Sequence, residues 1–124
     1  MIKYKIRHIK LYRDQIKFIK KINFKGKYHF KSGCLVVESN LWCSNNQLTR
    51  LPDNLIVKGY LDCSFNQLTR LPDNLVVGDS LYCNNNKLTN LPDNLVVEGH
   101  LYCGHNKVKL ELPKDAKIEG AFKN

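Results

Sequence analysis

Apolar residues recur along the chain from residue 41 to residue 113 with a period of twenty residues. Each unit opens with Leu-x-Cys and continues with an Asn and then a second Leu, which is Val108 in the last unit. Three of the units then read Leu-Pro-Asp-Asn-Leu. The units begin at Leu41, Leu61, Leu81 and Leu101. Self-similarity at a period of about 20 to 29 residues predicts a solenoid, in which each unit buries its apolar face against its neighbours. The fold class we predict is mainly β.

The alternation within Leu-x-Cys predicts one short strand in each unit. Side chains alternate along a strand, so the Leu and the Cys should point inward and the residue between them outward. Successive strands should pair in parallel, about 4.8 Å apart, into one curved sheet. A second apolar pair in each unit, such as Val76-Val77 beside Gly78, leaves open a second short strand per turn, which would give a β-solenoid.

Polar residues at fixed positions predict how each unit turns. An Asn three residues after each Cys should satisfy backbone groups that the turn would otherwise bury unpaired. The prolines should keep the return path extended, because proline fixes φ and lacks an amide donor. The Asp-Asn pairs that follow the prolines are typical of turns, and one carboxylate per turn argues against calcium binding. The residues concerned are Asn46, Asn66, Asn86 and Asn106, Pro52, Pro72, Pro92 and Pro113, and the pairs at 53–54, 73–74 and 93–94.

The first 33 residues do not follow the repeat. Alternation at Ile2, Tyr4 and Ile6 predicts a short strand, and a second short strand should start within 28–30. Between them lies an apolar stripe with helical spacing, which predicts an amphipathic helix over about 11–21. The stripe comprises Ile9, Tyr12, Ile16 and Ile19. We therefore predict a single domain with a helical or mixed N-terminal cap at 1–33, repeats at 34–113 and a degenerate C-terminal repeat at 114–124.

The motif Leu-x-Cys-x-x-Asn-x-Leu followed by Thr-x-Leu-Pro resembles the leucine-rich repeat family. It is most similar to the short bacterial repeats of the YopM and IpaH type. The resemblance implies a solenoid with parallel strands that binds proteins across its strand face. The sequence shows no ubiquitin-ligase domain of the IpaH kind, so that activity is not implied. A small chain rich in Lys, Asn and Ile also resembles a phage or bacterial accessory protein, acting as an adaptor or inhibitor.

One departure from those repeats concerns the side of the solenoid opposite the Leu-Cys strands. The bacterial repeats place a Leu three residues before the strand Leu. This chain has instead Glu38, Lys58, Gly78 and Glu98 at that position. The resemblance therefore does not define the geometry of that side.

The net charge of +9 is concentrated in the N-terminal segment. Residues 1–33 contain eleven Lys and Arg against a single acidic residue, Asp14. Such asymmetry favours an anionic partner, either an acidic protein or a nucleic acid, although a solvated cap has the same composition. The candidate anion-binding residues are Lys3, Lys5, Arg7, Lys10, Arg13, Lys17, Lys20 and Lys21.

The outward positions of the predicted strands are rich in aromatic residues. Trp and Tyr are enriched in protein interfaces and in binding hot spots, so we expect a protein partner to bind this face. The alternative is that the rings only support one another along the sheet. The candidate partner-binding residues are Trp42, Tyr60, Asp62, Phe65, Tyr82, His100, Tyr102 and His105.

The sequence offers little for catalysis or for metal binding. The cysteines form a ladder of one per unit, without a Cys-x-x-Cys pair, and should pack as small apolar side chains. His100 and His105 lack a nucleophile or a pair of carboxylates beside them. We therefore expect no enzyme, cofactor, metal or small-molecule ligand. No apolar run of membrane length and no signal peptide occur, so we expect no membrane partner and a cytoplasmic location.

The cysteine count provides a test of this interpretation. Thiol titration of the denatured, unreduced protein should find all five cysteines free, because same-facing side chains on parallel strands are poorly placed for disulfides. A count of three or fewer would contradict it.

Overall fold

The computed structural model describes the backbone of residues 2–124 and the side chains of residues 9–124. Helix α1 spans Ile2–Lys21 and is followed by short strands. The strands are β1 (Tyr28–Lys31), β2 (Cys34–Val37), β3 (Leu41–Trp42), β4 (Leu55–Val57), β5 (Leu61–Asp62), β6 (Val76–Val77), β7 (Leu81–Tyr82), β8 (Val96–Val97), β9 (Leu101–Tyr102), β10 (Lys117–Ile118) and β11 (Phe122–Lys123).

The strands stack into a β-solenoid of about 4 turns with two sheets. The Leu-Cys sheet has the order β3-β5-β7-β9-β11, and the Val-Val sheet has the order β1-β2-β4-β6-β8-β10. All neighbouring strands pair in parallel except β1 and β2, which are antiparallel. The mainly β class with a helix at the N-terminus is confirmed. The Leu-Cys strands form the one parallel sheet that was predicted, and the second short strand per turn, which the sequence left open, is present in the Val-Val sheet.

The core consists of the same positions in every turn. In the turn that starts at β5, Leu61, Cys63, Leu68, Leu75 and Val77 are completely buried. The first two come from the Leu-Cys strand and the last from the Val-Val sheet, so the two sheets face each other across a continuous apolar interior. This confirms that Leu and Cys point inward.

Asn66, Asn86 and Asn106 each join two successive turns, whereas the side chain of Asn46 bonds within its own turn. The Asn66 side-chain oxygen accepts hydrogen bonds from the amides of Asn46 (3.0 Å) and Leu48 (2.9 Å) in the preceding turn. Its amide nitrogen donates to the carbonyls of Cys43 and Cys63, both at 3.0 Å. Asn86 and Asn106 repeat most of this pattern. The prediction that these residues satisfy buried backbone groups is confirmed.

Close stacking also requires glycine at two bends, Gly59 before β5 and Gly99 before β9. A Cβ on Gly99 would lie 2.7 Å from the backbone nitrogen of Ser80, and one on Gly59 would lie 2.8 Å from that of Asn40. Both distances are shorter than a real Cβ tolerates, so the neighbouring turn excludes a side chain there. The predicted Asp-Asn turns are confirmed as well, since Asn54, Asn74 and Asn94 adopt left-handed φ values of 57°, 59° and 60°.

The N-terminal segment differs from its prediction in two ways. The expected strand at Ile2, Tyr4 and Ile6 is wrong, because α1 begins at Ile2. No Gly or Pro interrupts 2–21, so a helix held by packing near its end propagates back through the short alternation. The expected strand after residue 27 is confirmed as β1.

The buried face of α1 is rotated from the predicted stripe. Phe18 and Ile19 are buried, as is Gln15, whereas Ile9 and Tyr12 are about half exposed (50% and 49%). The Gln15 amide donates to the carbonyls of Gly33 (3.0 Å) and Asp53 (3.2 Å). A polar residue therefore takes a core position because it fastens the helix to the first turn. Of the described residues, no helix combines the length and apolarity that crossing a membrane requires.

The Asn66 network predicts a large loss of stability on truncation. Asn66→Ala should lower the free energy of unfolding by about 3 kcal/mol or more, because several buried backbone groups lose their partners. Chemical denaturation followed by circular dichroism measures the change. Asn90→Ala is the matched control, since Asn90 is exposed, and it should stay within about 0.5 kcal/mol of the unmodified protein. Equal effects of the two substitutions would contradict the role of Asn66.

Candidate functional site: the aromatic strand face

The outward residues of the Leu-Cys strands form one column. Trp42 pairs in register with Asp62, Asp62 with Tyr82, Tyr82 with Tyr102, and Tyr102 with Lys123. The Leu and the Cys on either side of Trp42, Asp62, Tyr82 and Tyr102 are buried, so the column projects from the opposite side of the sheet. Lys123 was not among the predicted site residues. The last unit contains one extra residue, so Lys123 follows Tyr102 by twenty-one residues rather than twenty. Counting that extra residue in the sequence would have placed Lys123 in the column.

Tyr60 connects the rings of this column into what we call the aromatic ladder, which consists of Trp42, Tyr60, Tyr82 and Tyr102. The Tyr60 ring stands nearly perpendicular to those of Trp42 and Tyr82, with centroids 6.2 Å away from each. Tyr82 and Tyr102 stack in parallel at 4.9 Å. Tyr82 and Tyr102 therefore support each other along the sheet, as the alternative to a binding role predicted. Trp42 is different, because 69% of its surface remains exposed.

Asp62 is the one acidic residue of the column, and its carboxylate is held by neutral donors. One oxygen accepts from the Trp42 indole nitrogen at 3.1 Å. The other accepts from the Ser64 amide (3.1 Å) and from the Ser64 hydroxyl (2.5 Å). Ser64 is buried, although its place after the strand predicted an outward position, and it was not among the predicted site residues. The contacts fix both the carboxylate and the indole ring of Trp42.

His100 and Lys123 lie at the C-terminal end of the aromatic ladder. The His100 ring packs 6.0 Å from that of Tyr102, and its Nδ1 accepts a hydrogen bond from the Ala121 amide at 2.8 Å. Lys123 places its ammonium 5.8 Å from the Tyr102 ring centroid, within cation–π range. His100 therefore has a structural role, equivalent to that of Asn40, whose side chain accepts from the Tyr60 amide.

Phe65 and His105 occupy the position after each Leu-Cys strand, together with Asn45 and Asn85. All four have left-handed backbones, with φ between 53° and 56°. Asn tolerates this conformation well, whereas a bulky ring there is uncommon and costs free energy. Phe65 is nevertheless 52% exposed, and its ring contacts no aromatic residue in the described part of the chain. The structure thus separates Phe65 and His105 from the aromatic ladder.

The cysteine ladder belongs to the core. All five cysteines are free, and the four of the ladder are completely buried. Burial, followed by the charge of Asp62, raises the pKa of the Cys43 thiol to about 12, and burial raises that of Cys103 to about 11. Burial also raises the pKa values of Cys63 and Cys83 well above the ordinary value. These thiols stay protonated at neutral pH and offer no reactive thiolate. Among the described side chains, no three His, Cys, Asp or Glu lie together as metal ligands would.

The candidate anion-binding residues lie on α1. Those described are exposed and share one side of the helix, roughly opposite Phe18 and Ile19, because their spacing follows the helical period. They are Lys10, Arg13, Lys17, Lys20 and Lys21. The side chains of Lys3, Lys5 and Arg7 lie outside the described residues. Lys20 and Lys21 also occupy the last turn, where a positive charge stabilises the helix dipole.

No protein-family model, curated protein or solved structure matches this chain. The site is therefore defined by its own geometry, which is a row of one exposed and three half-buried rings around one carboxylate.

The left-handed position of Phe65 predicts a gain of stability on substitution. Phe65→Asn should raise the free energy of unfolding by about 1 kcal/mol, because Asn is the residue that two other turns place there and it relieves the backbone strain. Denaturant titration measures the change. Phe65→Leu is the control, since leucine keeps the strain and should give no gain. Destabilisation by Asn equal to that by Leu would show that the Phe65 side chain supports the fold.

Proposed function

We propose that this chain is a non-enzymatic module that binds a partner protein through the aromatic ladder, as an adaptor or as an inhibitor of its partner. The observation that carries the proposal is the exposure of Trp42 at the open end of a continuous row of rings. Large aromatic side chains that remain exposed on a rigid surface are the usual anchors of protein interfaces.

The rigidity of the face favours binding. Trp42, Tyr82 and Tyr102 lie on strands, each between a buried Leu and a buried Cys, and Trp42 is further held by its hydrogen bond to Asp62 (3.1 Å). Side chains that are already ordered lose little conformational entropy when a partner binds. The repeat motif that resembles leucine-rich repeats of the YopM and IpaH type supports the same function, because such repeats bind proteins across their strand face.

The second candidate function is nucleic-acid binding by α1. An acidic protein would fit the same basic surface. Nucleic-acid binding is favoured by the five exposed basic side chains on one side of the helix, from Lys10 to Lys21. Such a row would contact phosphates, and the affinity would fall steeply as the salt concentration rises. The two candidates use different surfaces, so substitutions can separate them.

The test is capture from a host lysate by the tagged protein, with and without nuclease, eluted in steps of rising salt. We expect Trp42→Ala and Tyr82→Ala to abolish capture of a protein that survives nuclease and moderate salt. Tyr12→Ala is the matched control, because Tyr12 is a half-exposed ring on α1 (49%), and it should leave capture unchanged. Thermal unfolding of each variant verifies its fold.

A different result would assign the function to α1. If nuclease removes everything captured, and the double substitution Lys10→Glu and Lys17→Glu abolishes capture while Trp42→Ala does not, the chain binds nucleic acid. A protein lost only on the lysine substitutions would indicate an acidic partner on the helix. Either outcome contradicts binding by the aromatic ladder.

A further inference from the structure

Asp62 lies among three aromatic rings. Trp42 and Tyr82 are its register neighbours on β3 and β7, and adjacent strands are about 4.8 Å apart. Tyr60 precedes Asp62 by two residues, on the same side of the sheet, and its ring centroid is 6.2 Å from those of Trp42 and Tyr82. The carboxylate is therefore surrounded by rings on its own turn and on both adjacent turns.

The charge of Asp62 has no counter-ion among the residues that the structure describes. Its hydrogen bonds come from an indole N–H, a backbone amide and a hydroxyl, all of them neutral. Glu38 provides a contrast, since it lies 3.2 Å from the Lys58 ammonium and 2.7 Å from the His29 ring. The donors around Asp62 orient its carboxylate without neutralising it.

Carboxylates and ring faces attract the same ligands. The face of an aromatic ring carries negative electrostatic potential, so rings grouped around a carboxylate form a site for an ammonium or guanidinium group. Guanidinium suits such a site well, because it stacks on rings and pairs with carboxylates in one planar group. An asparagine at 62 has one acceptor oxygen and would keep either the Trp42 bond or the Ser64 bonds, because these engage different oxygens of Asp62.

We propose that the aromatic ladder recognises a cationic side chain of the partner protein, an arginine or a lysine, seated at Asp62 between Trp42, Tyr60 and Tyr82. This inference rests on the proposed function and specifies its chemistry. It differs from the expectation of an acidic partner, which came from the basic N-terminal segment. The two surfaces of the molecule would thus select partners of opposite charge.

The intrinsic fluorescence of the protein reports on this site directly, because Trp42 is its one tryptophan. The probe is a seven-residue Gly-Ser peptide with a central arginine, and the control peptide carries citrulline, which has nearly the same shape without the charge. We expect the arginine peptide to change the emission of Trp42 saturably and to bind about tenfold more tightly than the citrulline peptide. A lysine peptide should bind better than citrulline as well.

Two substitutions distinguish a cation site from a surface that binds peptides non-specifically. Asp62→Asn should remove the preference for arginine over citrulline. Asp79→Asn is the matched control, because Asp79 also accepts from the neighbouring serine amide (2.8 Å) but lies at the exposed bend before β7. It should leave the preference intact. Equal responses to arginine and citrulline, or an unchanged preference in Asp62→Asn, would overturn the proposal.

The peptide experiment tests the cation site and the capture experiment tests the proposed function, so a negative result in one does not imply a negative result in the other. If Trp42→Ala abolishes capture of the partner but Asp62→Asn does not, the strand face binds its partner without a cation site. If the arginine preference is present but capture does not depend on Trp42, the proposed function is wrong although the cation site exists. Should Asp62→Asn not fold, the comparison of arginine with citrulline on the unmodified protein still decides the proposal.

Discussion

The structure depends on the requirement that every turn satisfy the backbone groups of the turn before it. The Asn side chain after each Leu-Cys strand meets this requirement, because one amide group can both donate to carbonyls and accept from N–H groups across two turns. The bonds hold successive turns at the spacing of hydrogen-bonded strands. Gly59 and Gly99 follow from the same spacing, since the preceding turn leaves no room for a Cβ at these two bends.

Because successive turns stack at a fixed spacing, equivalent residues of the repeats line up in columns along the solenoid. The inward columns are nearly uniform, with Leu or Cys at each level, because every turn must fill the same volume. The outward column does not have to fill the interior, and it holds Trp42, Asp62, Tyr82, Tyr102 and Lys123. The chain therefore separates residues that build the solenoid from residues that are free to vary with a partner.

The molecule also separates its charges. The described basic residues of α1, between Lys10 and Lys21, lie on the side of the helix that faces away from the solenoid. The strand face is largely uncharged apart from Asp62 near its centre and Lys123 at its end. An uncharged aromatic surface with one oriented carboxylate selects its ligand by ring contact and local charge. The basic residues of the helix create a positive electrostatic potential that attracts any nearby anion.

The sequence by itself determined the solenoid, its inward Leu and Cys, the Asn turns and the outward position of Trp42, because each follows from a local period that stacking repeats unchanged. Tertiary structure decided what depends on contacts between distant residues. The buried face of α1 includes Gln15, because its side-chain amide donates hydrogen bonds to the carbonyls of Gly33 and Asp53. The Val-Val pairs became a second sheet once neighbouring turns could hydrogen-bond them. The environment of Asp62 required three turns to be in register, and no periodicity within one turn could show which rings would surround its carboxylate.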